Sequence, residues 1–261
     1  MSAYDPAPAA AALHDIRSKR GIVRPLPASI APQTEADGAA AQHALAVLIG
    51  EPRPAGFKIG ATGKRMQEYL GLSGPAAGFM AAANVHRVSA DLRFADYIRP
   101  GVECEVAVCL ARDLPPGPCS QAEAAAAVGA FMAGIEIVEN RYDDILTLGT
   151  PTLIADQVYH VAAVIGEEGP TDWRQRDVGA LRGRITATDG QHDEGITADL
   201  LGHPFNGLAW LAGSSVAAAF GGLRAGQVVM LGSVTPPLWL TGPTTVEVAF
   251  DGLPTVRVRL A

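Results

Sequence analysis

Several things are scarce in this chain, and each shortage excludes something. Only three of its 261 residues are cysteine. Cys104, Cys109 and Cys119 cannot all pair within one chain, none sits in a CxxC spacing, and no histidine pair lies at zinc-finger distance. A disulfide framework and a zinc module are therefore not expected, and reduced thiols in a cytoplasmic protein fit the pattern. Basic residues are also few, 20 Lys and Arg against 27 Asp and Glu, for a formal charge of −7. Binding along a phosphate backbone needs clustered cations, so nucleic acid is not an expected partner. The longest apolar stretches, Ala124–Ile135 and Leu208–Phe220, are Ala-rich and broken by Gly or Ser. They fall short of the ~20 residues of a bilayer span, so no membrane partner is expected. Met1–Ala12 has no basic segment followed by an apolar one, and no secretory signal is read there. Neither GxGxxG nor the GxxxxGK phosphate loop occurs, and there is no GxSxG elbow. Nucleotide-phosphate binding and serine hydrolase chemistry thus have no motif behind them.

What is present is a chain 48% hydrophobic, long enough to bury a large core. Helices are predicted over Pro8–Arg20, from an N-cap at Thr34 to Ile49, over Thr62–Leu70, after the Ser120/Glu123 capping box to about Gly134, and from Pro204 to Phe220. Gly50, Gly71 and the prolines at 52 and 54 are the corresponding stop signals. Phe57–Gly60 is short and apolar apart from Lys58, and extended segments are predicted at Val102–Leu110, Ile135–Val138, Leu153–Ile165 and Gln227–Leu231. Asp189-Gly190 and Asp251-Gly252 each mark a hairpin, the second between Thr244–Phe250 and Thr255–Leu260. Strands outnumber helices after residue 85 and no regular βαβ alternation appears, which predicts an α+β fold. Residues 1–80 read as a helical segment carrying Lys58 and packed on a β-rich unit of residues 81–261.

The chemistry concentrates in carboxylates. In Val102-Glu103-Cys104-Glu105-Val106, alternate residues of a strand share a face, so Glu103 and Glu105 point one way and the apolar residues the other. In Ile135-Glu136-Ile137, Glu136 stands opposite its neighbours. If the two strands are adjacent, three carboxylates converge. They would repel unless a cation is present, and oxygen-only ligation suits Mg²⁺, Mn²⁺ or Ca²⁺. The same alternation is also what the wet face of a half-exposed strand looks like. Lys58, between apolar neighbours in Gly56-Phe57-Lys58-Ile59-Gly60, is either a snorkelling surface residue or a cleft lysine able to bind a carboxylate or pass a proton. Ser233 and Thr235 offer hydroxyls for an anion or for a turn.

These stretches together resemble the 2-oxopent-4-enoate hydratase and 4-oxalocrotonate decarboxylase branch of the fumarylacetoacetate hydrolase superfamily. The matching pieces include Gly56–Thr62, Val102–Ala107, Ile135–Arg141, Ile154–Asp156, Asn206–Leu211 and Gly232–Thr235, in the family's order across nearly the whole chain. The resemblance implies a mixed β-roll with N-terminal and flanking helices. It implies Mg²⁺ or Mn²⁺ on Glu103, Glu105 and Glu136, an active-site lysine at Lys58, and Ser233 and Thr235 at the substrate's carboxylate end. It also implies a homo-oligomer.

Two departures from the family's pattern stand out. Ala77 occupies the place of a usual acid in what reads as a loop, Ser73–Gly78, and Gln157-Val158-Tyr159-His160 replaces an Asn followed by small residues. His160, which titrates near neutrality, is a candidate replacement proton carrier, and Gln157 a candidate substrate contact. Tyr159, Trp239 and Phe79 are candidates for the pocket wall. The expected activity is a metal-dependent hydratase (a lyase) adding water to a 2-hydroxy-dienoic or 2-oxo-enoic acid of aromatic catabolism. The alternatives are decarboxylation of a 2-oxo diacid, C–C hydrolysis of an acylpyruvate, and an inactive homologue that binds oxo acids.

Overall fold

The computed structural model describes residues 4–261. Two helices, α1 (Ala7–Ser18) and α2 (Glu35–Leu48), precede β1 (Gly56–Gly60), α3 (Lys64–Leu70) and β2 (Ala76–Met80). Then come β3 (Val85–Arg87), β4 (Ser89–Leu92), β5 (Pro100–Leu110), α4 (Gln121–Ala127) and β6 (Val128–Glu139). Short helices α5 (Ile145–Leu148) and α6 (Thr150–Ala155) lead to β7 (His160–Ile165), β8 (Arg182–Ala187) and β9 (His192–Ile196). The chain closes with α7 (Pro204–Ala212), α8 (Ser215–Ala219), β10 (Val228–Ser233), β11 (Leu238–Trp239), β12 (Thr244–Phe250) and β13 (Val256–Leu260).

Local chemistry starts and stops these elements where the grammar of caps says it should. The Thr34 side chain accepts from the Asp37 backbone N–H, and the Asp37 side chain accepts in return from the backbone of Thr34. Ser120 and Glu123 form the same reciprocal box. Gly71 ends α3 in the left-handed conformation at φ 66°.

Eight strands form one mixed sheet in the order β2-β1-β10-β5-β6-β7-β3, with β11 added on β5. It curls until β2 reaches β7. A second, five-stranded sheet runs β4-β13-β12-β8-β9, and both expected hairpins lie in it. Residues 1–80 pack on the remainder through α1 and α2 and also give β1 and β2 to the main sheet, β1 pairing in parallel with β10.

The two faces of the main sheet differ. Outward, Phe57, Ile59, Val102, Cys104, Val106, Ile135 and Ile137 join the large core with the helices. Inside the curl, Met80, Ala107, Met132, Ala163, Ile165, Val228 and Met230 form a small apolar plug. The same inner face carries Lys58, Glu103, Glu105 and Glu136, because their register partners are Met230, Glu136, Gly134 and Glu103 respectively. One end of the roll is therefore filled with hydrocarbon and the other is lined with charge.

Three expected elements differ. The Ala-rich helix after Ser120 stops at Ala127, and residues 128–134 continue as β6. Nearly all of β6 is buried, and there pairing with β5 outweighs the helix preference of its alanines. Residues 153–155, expected extended, instead close α6, which has Pro151 in its first turn. The long helix after Pro204 divides at Gly213, where the Ser214 hydroxyl caps α8 by accepting from the Ala217 backbone N–H.

Candidate metal centre and active-site cavity

Adjacent strands bring the three carboxylates together. β5 and β6 are antiparallel neighbours with Glu103 directly opposite Glu136, and Glu105 sits two residues further along the same face. One oxygen from each of Glu103, Glu105 and Glu136 lies within 4.8 Å of the others. Glu105 and Glu136 are 1% and 0% exposed, so these acids are not the wet face of a strand.

Their surroundings differ, and so do their proton affinities. Burial, followed by the charge of Glu136, pushes Glu103 up to about 8. Burial and the charges of both other glutamates raise Glu105 well above the usual carboxylate range, against the pull of the Gly232 N–H. Burial alone would raise Glu136 as well. Lys58 and His160 outweigh it and hold that carboxyl below its ordinary value. Lys58 Nζ stands 3.3 Å from Glu136 Oε1, and His160 Nδ1 stands 2.9 Å from the same oxygen. The other oxygen, Glu136 Oε2, is buried without a partner among the described residues. An orphaned carboxylate oxygen beside two further carboxylates is the donor set a hard divalent cation takes. The residues fit such a cation.

A register shift in β10 between Met230 and Ser233 turns the Gly232 N–H toward Glu105 Oε2, at 3.0 Å. Gly232 has φ 107°, and a Cβ there would meet the Thr62 side chain at 2.6 Å, so the position requires glycine. On the other side, Gln157, Val158 and Tyr159 form three successive left-handed residues, φ 61°, 51° and 68°. The Val158 carbonyl accepts from Lys58 Nζ. Gly78 lets this turn lie on the sheet, since a Cβ there would sit 2.6 Å from the Gln157 carbonyl oxygen.

Buried ions hold that turn from behind. Arg17 donates to the Asp156 side chain at 2.7 Å and to the carbonyls of Asp156 and His160. Arg141 bridges Glu139 and Asp156 at 3.1 and 3.3 Å, and the Tyr142 hydroxyl donates to Asp156 at 2.9 Å. None of Arg17, Asp156, Arg141 and Tyr142 was singled out from sequence for a role. Their separations along the chain reach 139 residues, and the only signal was that Arg141 and Asp156 stand in family-like stretches.

A cavity of about 580 Å³ opens over the site, lined by Lys58, Glu103, Glu105, Ser233 and Thr235 together with Tyr159 and Trp239. The Ser233 hydroxyl is engaged, accepting from the Cys104 N–H and donating to the Thr235 carbonyl. Thr235 Oγ1 is buried without a partner among the described residues. His160 and Gln157 are not brought to the cavity. His160 is 1% exposed and stands behind Glu136, while Gln157 gives its side-chain N–H to the Phe79 carbonyl. Burial lowers the His160 imidazole, against the pull of Glu136. Phe79 lies outside the cavity too, packed near Phe220 in the outer core. Ala77, expected in a loop, is inside β2 opposite Ile59. Among the described residues no helix is long and apolar enough to cross a membrane.

Known proteins resemble this chain in sequence and in fold. A 2-keto-4-pentenoate hydratase of Paraburkholderia phymatum is 31% identical over 97% of this chain and 96% of its own length. A 4-oxalocrotonate decarboxylase of a Pseudomonas species is 30% identical over 70% and 69%. In solved structures, the fold matches 4-oxalocrotonate decarboxylase of Pseudomonas putida G7, complexed with magnesium and adipate. That match has a TM-score of 0.87 and 21% identity, covering 98% of this chain and 97% of the other. Fumarylpyruvate hydrolase of Pseudomonas aeruginosa, with Mn²⁺ and pyruvate, matches at 0.61 and 16%, covering 78% and 88%. Residues 61–261 match the fumarylacetoacetate (FAA) hydrolase C-terminal family, and the chain belongs to that family.

Proposed function

We propose that the protein is a hydratase dependent on Mg²⁺ or Mn²⁺ that adds water to a 2-hydroxy-dienoic or 2-oxo-enoic acid. The observation that carries this reading is the cluster of three carboxylates, Glu105 and Glu136 buried and Glu103 half-buried, with Lys58 beside it at the floor of one cavity. The hydratase names among its relatives support it.

Glu103, Glu105 and Glu136 would hold the ion, which supplies Lewis-acid stabilisation of the negative charge that develops on a substrate's 2-oxo oxygen. Thr235 Oγ1, unpartnered at the cavity wall, is placed to hydrogen-bond the substrate's carboxylate. Lys58 is fixed by Glu136 and the Val158 carbonyl at the cavity floor, where its ammonium can hold substrate charge or pass a proton. Hydration of a 2-hydroxy-2,4-dienoate moves the enol proton to solvent or base and delivers one proton to C5. Water oxygen then bonds to C4 and a proton to C3, giving a 4-hydroxy-2-oxo acid. His160 acts through Glu136, as a positioning residue whose Nδ1 orients that carboxylate.

The test is turnover of 2-hydroxypenta-2,4-dienoate with Mg²⁺ or Mn²⁺, followed by loss of the dienol absorbance and by NMR of the product. A 4-hydroxy-2-oxo acid without CO₂ release is expected. CO₂ from a 2-oxo diacid instead would assign decarboxylation. Glu103→Gln should weaken the metal titration and remove most turnover. Unchanged affinity and rate would exclude the carboxylate site.

A further inference from the structure

The mouth of the cavity is built differently from its floor. α3 points Met66, Tyr69 and Leu70, at i, i+3 and i+4, toward the opening, and Pro236, Pro237 and Trp239 face them from the segment around β11. Tyr69 is 62% exposed and Trp239 41%. Large aromatics grouped at an opening are a common mark of a ligand surface. Tyr159 joins this mouth to the floor. Its ring lies 6.4 Å from that of Trp239 and is backed edge-on by Tyr142 at 4.6 Å. Burial raises its phenol, Tyr69 and Glu103 add to the effect, and the Arg99 guanidinium opposes it.

Charge reinforces the contrast. Among the described side chains lining the cavity, Lys58 is the cation, and it is held at the floor. The other polar side chains of the wall include the exposed Asp199 carboxylate and the neutral, half-buried Asn140. A second carboxylate on the ligand would meet Asp199 there. The volume, about 580 Å³, is within the range that holds drug-sized ligands and exceeds what a five-carbon acid fills.

We infer that Met66, Tyr69, Tyr159, Pro236 and Trp239 form an apolar distal subsite that selects 2-oxo acids ending in a bulky uncharged group, aryl or long alkyl, over dicarboxylic ones. This rests on the proposed binding of a 2-oxo acid at the carboxylate cluster. The test is calorimetric binding to the full-length protein with saturating Mg²⁺, using oxalate, 2-oxopentanoate, 4-phenyl-2-oxobutanoate and 2-oxoadipate. The phenyl acid should bind at least tenfold more tightly than 2-oxoadipate, and more tightly than 2-oxopentanoate. In Trp239→Ala and Tyr69→Ala the phenyl acid should weaken at least tenfold and oxalate less than threefold. If 2-oxoadipate binds as tightly as the phenyl acid while oxalate still binds, the subsite is overturned and the carboxylate site stands. If the variants shift the oligomeric state by light scattering but leave the ligand ratio intact, the aromatics cover a second copy instead, and the subsite is again overturned. If oxalate itself fails to bind, the metal-site reading falls and takes the subsite with it.

Discussion

At the scale of single residues, Glu136 is where the site's interactions meet. One of its oxygens receives both Lys58 and His160, and the other is left for a cation. His160 thus has a structural consequence without touching the cavity: it fixes the carboxylate that fixes Lys58. Groups that orient a metal ligand in this way typically contribute about 10–100-fold to metal affinity or activity. His160→Gln should therefore lower Mg²⁺ affinity by roughly 10–100-fold without unfolding the protein. Calorimetric titration with Mg²⁺ beside a thermal melt checks this. A pH–rate profile that loses one limb while Mg²⁺ affinity stays at the parent value would instead make His160 a proton carrier.

At the scale of elements, the left-handed turn at residues 157–159 is held in place by charges from other parts of the chain. Asp156 is fully buried and answers two guanidiniums and a phenol. Breaking a buried pair from one side costs about 3–5 kcal/mol, because the remaining charge keeps its desolvation without its partner. Asp156→Asn should lower stability by roughly that amount, read as a shifted urea midpoint at unchanged slope. A shift under about 1 kcal/mol, the usual worth of an exposed pair, would show that Arg17 and Arg141 find water instead. This clasp could not be read from the sequence, and the reason is physical. Arg17 lies in the last turn of α1 and Asp156 just past the end of α6, and only the tertiary fold brings them into contact. The carboxylates were legible because strand alternation is local: Glu103 and Glu105 share a face wherever the strand goes. Adjacency of β5 and β6, which completes the triad, came only as a condition in the strand argument. The helix-to-strand change at Val128 was hidden for the same reason, since alanine's helix preference is local and burial between β5 and β7 is not.

At the scale of the whole molecule, the curled sheet crowds three acids together, two of them out of water, and stability should then depend on pH and on metal together. Unfolded, each glutamate is ionised above about 4.5. Folded and without a cation, Glu103 retains its proton up to about 8, and Glu105 is raised as well. The native state then binds more protons than the unfolded one, so stability is greatest at low pH within this window and falls as pH rises through the folded value. The slope is about 1.4 kcal/mol per pH unit for each retained proton. Glu136 is depressed and contributes no slope there. Histidines that burial has lowered, His160 and His203, act in the opposite sense, but only below their unfolded value of 6.5. The clean window is therefore about pH 6.5 to 8. Mg²⁺ should displace the retained protons and remove the repulsion that opposes ionisation. Melting of chelator-treated protein should fall in temperature across that window, and the increment from saturating Mg²⁺ should grow with pH, with proton release on binding in weakly buffered solution. An increment that is flat or shrinks toward pH 8 would mean that the carboxylates are already ionised and apart, and that the sheet does not impose the clustering on which the site depends.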